Sequence, residues 1–211
     1  MSKITISSGE FRGRQISTPD TSLVHPMGSR EKLALFNTLE SLRGPLTSDT
    51  TLLDCFCGSG ALGLEALSRG AGEVVFVDQN PKAVTATKQN ILALGVSSRA
   101  HVLKTTYQNL LKTLETPQKS PKNHQNPHET PQQKSQNRAN VKNFDIIIAD
   151  PPYDNYPENL NVLSNLLATG GILVLSHPTS INPADILSNC ELIRTKKYAA
   201  ANLSYFVKHM H

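Results

Sequence analysis

Four consecutive residues, Asp150, Pro151, Pro152 and Tyr153, follow an apolar run at residues 146–149 and combine groups that could do chemistry. The two prolines lack backbone N–H donors and restrict the chain, so the carboxylate before them is held rigidly. The carboxylate and a backbone carbonyl can accept the two N–H bonds of an exocyclic amine, while the ring stacks on a planar base. We therefore predict that these four are catalytic residues acting on the amino group of a planar substrate. The alternative is a structural Pro-Pro turn with a capping aspartate.

A glycine-rich turn supplies a second candidate site. Gly58, Gly60 and Gly63 have the G-x-G-x-x-G spacing after a strand-like segment, and Asp78 ends the next such segment about 20 residues later. Glycines at this spacing let the backbone approach a ligand closely at a helix N-terminus, and the carboxylate can hold ribose hydroxyls. The pattern fits a nicotinamide cofactor, a flavin or S-adenosylmethionine. A tight turn without a ligand is the alternative.

The cysteines do not indicate a metal or a disulfide framework. Cys55 and Cys57 lie beside the glycine-rich turn, but no further ligand is near them in sequence, so we interpret them as small buried apolar residues and predict no metal site. With Cys190 they make three cysteines, an odd number that favours a reducing cytoplasm.

The chain from Thr51 onward alternates strand-like and helical segments. Predicted strands cover residues 51–56, 73–78, 100–105, 144–149 and 172–177. Predicted helices cover residues 61–70, 80–95, 107–114 and 158–169. The segments 190–197 and 203–209 predict a closing hairpin. Repeated βα units form a parallel sheet with helices on both faces, so we predict an α/β fold.

Two segments differ from this pattern. Residues 1–28 predict an N-terminal β arm, which is followed by a helix that Ser29 can cap and Gly44 ends. Residues 116–142 are rich in Pro, Gln, Asn and Lys, which predicts a disordered insertion because so few side chains can be buried. A solvated loop and a basic nucleic-acid tether both fit that composition. The remainder of residues 29–211 is expected to be the catalytic domain.

Bulk properties limit the class of protein. The 211 residues suffice for one α/β domain with a core, and the net charge of +4 with a pI of about 9.0 is compatible with a nucleic-acid partner. No run approaches the roughly 18 apolar residues of a membrane helix. The first residues contain no signal-peptide hydrophobic region. We therefore expect no membrane partner and a cytoplasmic location.

The segments DCFCGSGALGLEALSRGA and ADPPY together resemble class I S-adenosylmethionine-dependent amino-methyltransferases. The segments ISSGEFRGRQI and HPMGSREKLALFNTL make the chain more closely similar to the RsmD family of bacterial 16S rRNA (guanine-N2)-methyltransferases, over nearly the whole chain except residues 116–143. The resemblance implies a Rossmann-like class I methyltransferase fold. That fold has a mostly parallel seven-stranded sheet, a C-terminal antiparallel hairpin and a small N-terminal β extension.

The same resemblance implies roles for individual residues. The candidates for the S-adenosylmethionine site are Asp54, Gly58, Ser59, Gly60, Gly63, Asp78 and Thr106. Among these, Asp78 would hold the ribose, Asp54 would lie near the methionine end, and Thr106 is the best positional match beside the adenine. A guanine of 16S rRNA would be methylated on N2 beside Asp150 and Tyr153. The expected partner is 16S rRNA in a partly assembled small ribosomal subunit, bound by a monomer.

Four basic residues are candidate contacts to RNA phosphates: Arg12, Arg14, Arg30 and Lys32. Phe11 is a candidate stacking group beside the first two. For each basic residue alone, an ordinary solvated charge is the alternative.

Three other functions fit part of the pattern. A DNA adenine or cytosine amino-methyltransferase shares the DPPY tetrapeptide, but no segment is long and apolar enough for the target-recognition domain that such enzymes usually carry. A non-catalytic nucleotide-binding module needs only the glycine-rich turn. A protein-glutamine methyltransferase is also built around a proline-rich strand end.

Overall fold

The computed structural model describes residues 3–19, 27–115, 143–198 and 201–209. Its strands are β1 (Lys3–Thr5), β2 (Gln15–Ser17), β3 (Thr51–Cys55), β4 (Glu73–Asp78), β5 (Ala100–Lys104), β6 (Phe144–Ala149), β7 (Leu167–His177), β8 (Cys190–Lys197) and β9 (Asn202–Lys208). Its helices are α1 (Ser29–Arg43), α2 (Ala61–Ser68), α3 (Pro81–Leu94), α4 (Leu110–Glu115) and α5 (Asn161–Asn165). Short 3-10 turns lie at Tyr107–Asn109, Tyr153–Asn155 and Pro183–Asp185.

Seven strands form one sheet in the order β5-β4-β3-β6-β7-β9-β8. The strands from β5 to β7 run parallel, and β9 lies antiparallel between β7 and β8. Strand β3 has β4 on one side and β6 on the other, so the connections change direction there. The carboxyl ends of strands at such a point form a crevice in open α/β sheets. The predicted mostly parallel sheet with its C-terminal hairpin is confirmed.

The central strands are apolar on both faces because helices cover both sides of the sheet. Leu52 and Ile146 belong to a core cluster shared with α1, α2 and α3. Their neighbours Leu53 and Ile147 belong to a second cluster with α4 and α5. The alternation of successive side chains between two buried faces fixes the register of the strands that carry the site.

The predicted helix over residues 158–169 is wrong in its extent. Helix α5 covers only Asn161–Asn165, and β7 begins at Leu167. Leu167 pairs with Phe144 before a register irregularity, and the Phe144 amide donates to the Leu166 carbonyl at 2.7 Å. These sheet bonds and the burial of Leu167 outweigh the helical preference of the segment.

The N-terminal strands β1 and β2 pair antiparallel, and the arm is bonded to α1 and α2. The amide of Ser7 donates to the Glu65 carboxylate at 2.8 Å. The Lys32 ammonium lies 2.8 Å from the same carboxylate and donates to the Thr5 carbonyl at 2.8 Å. Arg69 Nε completes the cluster at 3.2 Å from Glu65. The small β extension is therefore fixed by a buried charged cluster.

Part of the predicted organisation lies outside the described residues, namely the insertion at residues 116–142 and positions 1–2 and 20–26 of the predicted arm. Within the described ranges, no helix is both long enough and apolar enough to cross a membrane.

Candidate active site

A cavity of about 640 Å³ opens at the carboxyl ends of β3, β4 and β6. Its wall includes Gly58 and Ser59 from the glycine-rich turn, Asp78 from β4, and Asp150 and Pro152 from the loop after β6. Because these strands are neighbours in the sheet, the two predicted sites meet at one edge. The volume is in the range of about 300–1,000 Å³ that is usual for small-molecule and cofactor sites.

The glycine-rich turn connects β3 to α2 and brings its backbone to the cavity. Gly60 is the N-cap of α2 with φ +78°, a conformation that other residues rarely adopt. A Cβ atom on Gly63 would lie 2.3 Å from the ring of Phe76, so a glycine is needed for α2 to approach β4. The Gly58 amide donates to Asp78 Oδ2 at 2.9 Å, which joins the turn to the end of β4. Gly58 lines the cavity, whereas Gly60 and Gly63 shape the turn behind it.

Asp54 lies beneath the turn. Its side chain is 1% exposed, and Oδ2 accepts a hydrogen bond from the Gly63 amide at 2.8 Å. Burial raises the pKa of Asp54 to about 7; the Gly63 hydrogen bond acts in the opposite direction, and the charges of Asp150 and Asp78 add to the increase. The structure therefore gives Asp54 a supporting position under the turn. Its predicted place near the methionine end of a cofactor stays a prediction.

Asp78 and Thr106, two further predicted cofactor residues, line the cavity. Asp78 Oδ1 accepts from the Asn80 amide at 2.8 Å, so both of its oxygens are oriented by backbone donors. Beside Thr106, the ring of Tyr107 lies 5.4 Å from that of Phe56, and both rings line the cavity. Sequence reasoning missed these two rings, although Tyr107 directly follows Thr106 and Phe56 is two residues from Asp54 and Gly58.

Asp150 lies at the carboxyl end of β6 and lines the cavity. Burial raises its pKa to about 6; the neighbouring Ser176 hydroxyl acts to lower this pKa, and the charge of Glu31 raises it. The carboxylate form therefore predominates at neutral pH and can accept N–H bonds from a ligand. Pro152 lines the cavity, while Pro151 is buried.

Two tyrosines follow Asp150 in the same loop. The Tyr153 hydroxyl lies 2.5 Å from Ser176 Oγ, and the Tyr156 hydroxyl donates to the Ser176 carbonyl at 3.3 Å. The two rings are 6.4 Å apart. Tyr156 belongs to the cavity wall, whereas Tyr153 is half-buried and is not part of that wall. The sequence singled out Tyr153 as the stacking ring, and the structure adds Tyr156, whose signal was its position just after the tetrapeptide.

The predicted RNA contacts Arg12, Arg14 and Arg30 are exposed. Arg14 Nη2 donates to the Ala93 carbonyl at the end of α3 at 2.7 Å, which fixes the turn of the arm against that helix. All three guanidinium groups remain open to solvent.

Two other predicted contacts with RNA are contradicted. Lys32 is 1% exposed and is paired with Glu65, so its charge is not available to a phosphate. Phe11 is 7% exposed and belongs to the core cluster beneath the arm, so its ring cannot stack on a base. Both side chains support the arm.

No group of three or more His, Cys, Asp or Glu side chains that could hold a metal ion occurs in the part of the chain that the structure describes. Cys55 and Cys57 are buried free thiols, and burial raises the pKa of each. Each belongs to a core cluster and also lines the cavity, and Cys57 Sγ lies 3.6 Å from Thr87 Oγ1.

Comparison with known proteins places this site in a family. The family described as "Conserved hypothetical protein 95" matches residues 4–123 and 118–207. The chain belongs to this family. Ribosomal RNA small subunit methyltransferase D of Haemophilus influenzae is 32% identical over 152 residues, which are 72% of this chain and 64% of that protein. The match therefore spans less than two thirds of the relative's length.

Solved structures share the fold. A putative methyltransferase from Escherichia coli, yhhF, superposes with a TM-score of 0.72 at 23% identity, and the match covers all of both chains. A Thermus thermophilus 16S rRNA N2 G1207 methyltransferase, solved with AdoMet and guanosine, superposes with a TM-score of 0.63 at 19% identity over 99% of this chain and 50% of that one. These similarities show a class I methyltransferase fold for this chain.

Proposed function

We propose that this chain transfers a methyl group from S-adenosylmethionine to N2 of a guanine in 16S rRNA. The observation that carries the proposal is that Asp150 lines the same cavity as Gly58 and Asp78. A methyl donor on the glycine-rich turn and an amine at Asp150 can therefore meet in one place. Membership of the family and the name of the Haemophilus influenzae relative support small-subunit rRNA as the substrate.

The residues around the cavity fit S-adenosylmethionine. Asp78 has lone pairs to accept the ribose hydroxyls, and the rings of Phe56 and Tyr107 offer an apolar surface to the adenine. The carboxylates of Asp78 and Asp150 favour the positive charge of the cofactor's sulfonium. When bound, S-adenosylmethionine supplies an electrophilic methyl group on its sulfur atom.

Asp150 has the main task at the substrate. The N2 lone pair of guanine is delocalised into the ring, so the amine is a weak nucleophile and must be oriented. The Asp150 carboxylate and the Pro151 carbonyl accept its N–H bonds, and the ring of Tyr156 gives the base a face to stack on. Most of the catalysis is then positioning and electrostatics. With a pKa of about 6, Asp150 also accepts the N2 proton more readily than an ordinary aspartate.

The RNA partner is held by exposed cations on the arm and at the start of α1. The exposure of Arg12, Arg14 and Arg30 supports their assignment as contacts to phosphates outside the cavity. We propose that the substrate is 16S rRNA in a partly assembled subunit and that the enzyme acts as a monomer.

The proposed function is tested by identifying the methylated nucleoside. The protein is incubated with S-adenosylmethionine carrying a labelled methyl group and with unmodified small-subunit RNA, small-subunit particles or DNA, and the products are digested and analysed. We expect label in N2-methylguanine from RNA or particles, and labelling at least about 10²-fold slower with Asp150→Ala. Methylated adenine or cytosine in DNA would support the alternative methyltransferase. Donor binding without transfer to any of these substrates would support a non-catalytic module.

A further inference from the structure

Asn90 is a buried asparagine of α3 whose side chain is bonded to both the N-terminal arm and the glycine-rich turn. The residue is only 3% exposed. Its Oδ1 accepts from the Ser17 amide at 2.9 Å, where β2 ends. Its Nδ2 donates to the Ser17 carbonyl and to the Ser59 carbonyl, each at 2.9 Å. One side-chain amide therefore joins the arm to the turn.

Both partners of Asn90 adjoin the wall of the cavity. Ser59 belongs to that wall, and so do Thr18 and Pro19, the two residues that directly follow Ser17. The arm thus supplies part of the wall to which the glycine-rich turn also belongs. Asn90 bonds the arm immediately before the residues that form this part.

An asparagine matches the backbone groups around position 90. The amide and carbonyl of Ser17 offer one donor and one acceptor, and the Ser59 carbonyl offers a second acceptor. A side-chain amide has an acceptor oxygen and two N–H donors, so it satisfies all three groups at once. Asparagine has a low preference for a helix interior, so helix formation does not account for its place in α3.

Thr87, one turn earlier on α3, bonds the same glycine-rich turn in a different way. It is fully buried, and its Oγ1 donates to the Gly58 carbonyl at 2.9 Å. Within the described residues, no hydrogen bond joins Thr87 to the arm. The two positions therefore separate the support of the turn, which both provide, from the link to the arm, which Asn90 provides.

We propose that Asn90 is a positioning residue for the methyl-donor site, which holds the arm against the glycine-rich turn so that Thr18 and Pro19 complete the wall around the donor. The inference rests on the proposed function, because it assigns the arm a task at the proposed donor site. Asn90 is not part of the wall and acts through Ser17 and Ser59. Its loss should therefore weaken donor binding and leave the methyl-transfer step unchanged.

The test compares Asn90→Ala and Asn90→Leu with Thr87→Val and Ser164→Ala. Neither Ala nor Leu can form the three hydrogen bonds, and one is smaller and the other larger than Asn, so an effect common to both is not a matter of volume. Thr87→Val removes the bond to the Gly58 carbonyl at nearly constant shape. Ser164 is a buried serine of α5 that bonds the Asn161 carbonyl away from the cavity wall, so Ser164→Ala is the control for loss of a buried hydrogen bond.

The first measurement is amide hydrogen exchange, which needs no RNA. Without donor, the Ile6 and Gly13 amides, which bond within the arm, should exchange about tenfold faster in both Asn90 variants, because a buried anchor of the arm is lost. They should exchange at wild-type rates in Thr87→Val and Ser164→Ala. In the wild type, saturating S-adenosylmethionine should slow exchange of the Ser17 amide at least about tenfold, because the donor favours the closed arm.

The second measurement separates donor affinity from the rate of transfer. The dissociation constant for S-adenosylmethionine, measured by calorimetry, should rise about tenfold in both Asn90 variants, because the arm must be ordered when the donor binds. The single-turnover rate at saturating donor should stay within about twofold of wild type, as expected when only uniform binding is lost. Thr87→Val should weaken donor binding by less, and Ser164→Ala should not change it.

Three results would overturn the inference. They are unchanged donor affinity in a folded Asn90 variant, the same loss of affinity in Thr87→Val as in the Asn90 variants, and a Ser17 amide that the donor does not protect in the wild type. The last result needs no variant, so it decides the question even where both Asn90 variants fail to fold. A wild-type protein that binds the donor but forms no N2-methylguanine would instead contradict the proposed function, and the affinities and exchange rates would still decide the role of Asn90.

Discussion

Asp54 and Asp150 lie in one acidic site, and their surroundings give them different tasks. Burial raises the pKa of both, to about 7 and about 6. Asp54 has no place in the cavity wall and bonds the backbone of α2 through Gly63, whereas Asp150 faces the cavity. The carboxyl at the wall is the one that can meet a substrate, and the carboxyl beneath the turn maintains the turn's shape.

Replacing Asp150 by Ala should reduce single-turnover methyl transfer to unmodified small-subunit RNA by at least about 10² to 10³, because one preorganised electrostatic contact is lost. Asp150→Asn should be milder, since its amide oxygen still accepts one N–H bond. Donor affinity, measured by calorimetry, should change little in either variant. A near-normal rate for Asp150→Ala in folded, donor-binding protein would mean that the DPPY turn is only architecture.

Site residues that belong to a sequence motif could be predicted from the sequence. Residues that only the packing of the fold brings to the site could not. Asp150 and Asp78 could be predicted because each ends a strand, and strand ends meet at the crevice. Ser176 could not, because its hydrogen bond to Tyr153 depends on the neighbouring position of β6 and β7, which no local pattern states. Lys32 was misread because a lysine in an exposed-looking helix turn gives no sign of a buried partner such as Glu65.

Helices α1 and α2 hold the N-terminal arm in place through hydrogen bonds from charged side chains. Lys32 on α1 bonds the Thr5 carbonyl of β1, and Glu65 on α2 bonds the Ser7 amide that follows it. Lys32 also lines the cavity, so the arm and the site share one buried cation. The arm is therefore anchored next to the region where RNA would enter.

Lys32→Met should lower the free energy of unfolding by about 3 kcal/mol, because removing one partner leaves a buried charge poorly compensated. This loss of stability is at the low end of the roughly 3–5 kcal/mol that is usual for breaking a buried ion pair, because Arg69 still pairs with Glu65. Hydrogen exchange should accelerate more at the Ile6 and Gly13 amides, which bond within the arm, than in β3. Lys88→Met, at an exposed position of α3, is the control and should change neither quantity. Uniform acceleration over the whole sheet would contradict a specific anchor.

The exposed arginines on the arm and on α1 should contribute to RNA binding mainly through phosphates. Arg12→Ala combined with Arg30→Ala should reduce the salt dependence of RNA affinity by about 1.5 units of slope, at roughly 0.7–0.9 per phosphate contact. Donor affinity should be unchanged, because neither side chain lines the cavity. A weaker donor affinity with an unchanged salt slope would place these residues over the cofactor site instead.

The positions of helices and strands could be predicted where the hydrophobic periodicity agrees with the residues that start and end an element. Helix α3 starts with Asn80 and Pro81 and ends before Gly95, and these signals suffice for its bounds. The helix predicted over residues 158–169 was wrong in its extent because the leucines of this segment fit a helix. In the structure, Leu167 belongs to the sheet, where it pairs with Phe144. Such tertiary pairing cannot be read from one segment alone.

The net charge of the whole molecule is positive, whereas the carboxylates around the cavity make the local charge there negative. The chain carries a formal charge of +4, whereas Asp78 and Asp150 in the cavity wall lie close enough to Asp54, beneath the glycine-rich turn, for their charges to raise its pKa. A basic exterior attracts polyanionic RNA, and an acidic cavity favours a cationic donor. Folding brings these carboxyl groups together, so folding free energy must depend on their protonation.

The pKa of Asp54 is about 7 in the folded protein, against an ordinary value of 3.8, so the folded state binds more protons between these two values. The contribution of Asp54 to stability is therefore fully present below about pH 4 and is lost as the pH rises through 7. The loss is at most about 4 kcal/mol, from 1.36 kcal/mol per pKa unit. His177 has the opposite trend, because burial lowers its pKa and its contribution is lost as the pH falls below 6.5.

Asp54→Asn isolates the Asp54 effect, because asparagine cannot titrate while its side-chain oxygen still accepts the Gly63 amide. The free energies of unfolding of wild type and variant are measured with urea at several values between pH 4 and 8. Subtracting one from the other removes the contribution of His177, which is common to both. The difference should move in favour of the variant as the pH rises and level off above about pH 7. A difference that is independent of pH would mean that Asp54 is ionised at its ordinary pKa, and the turn would then rest on a buried carboxylate that carries its charge throughout.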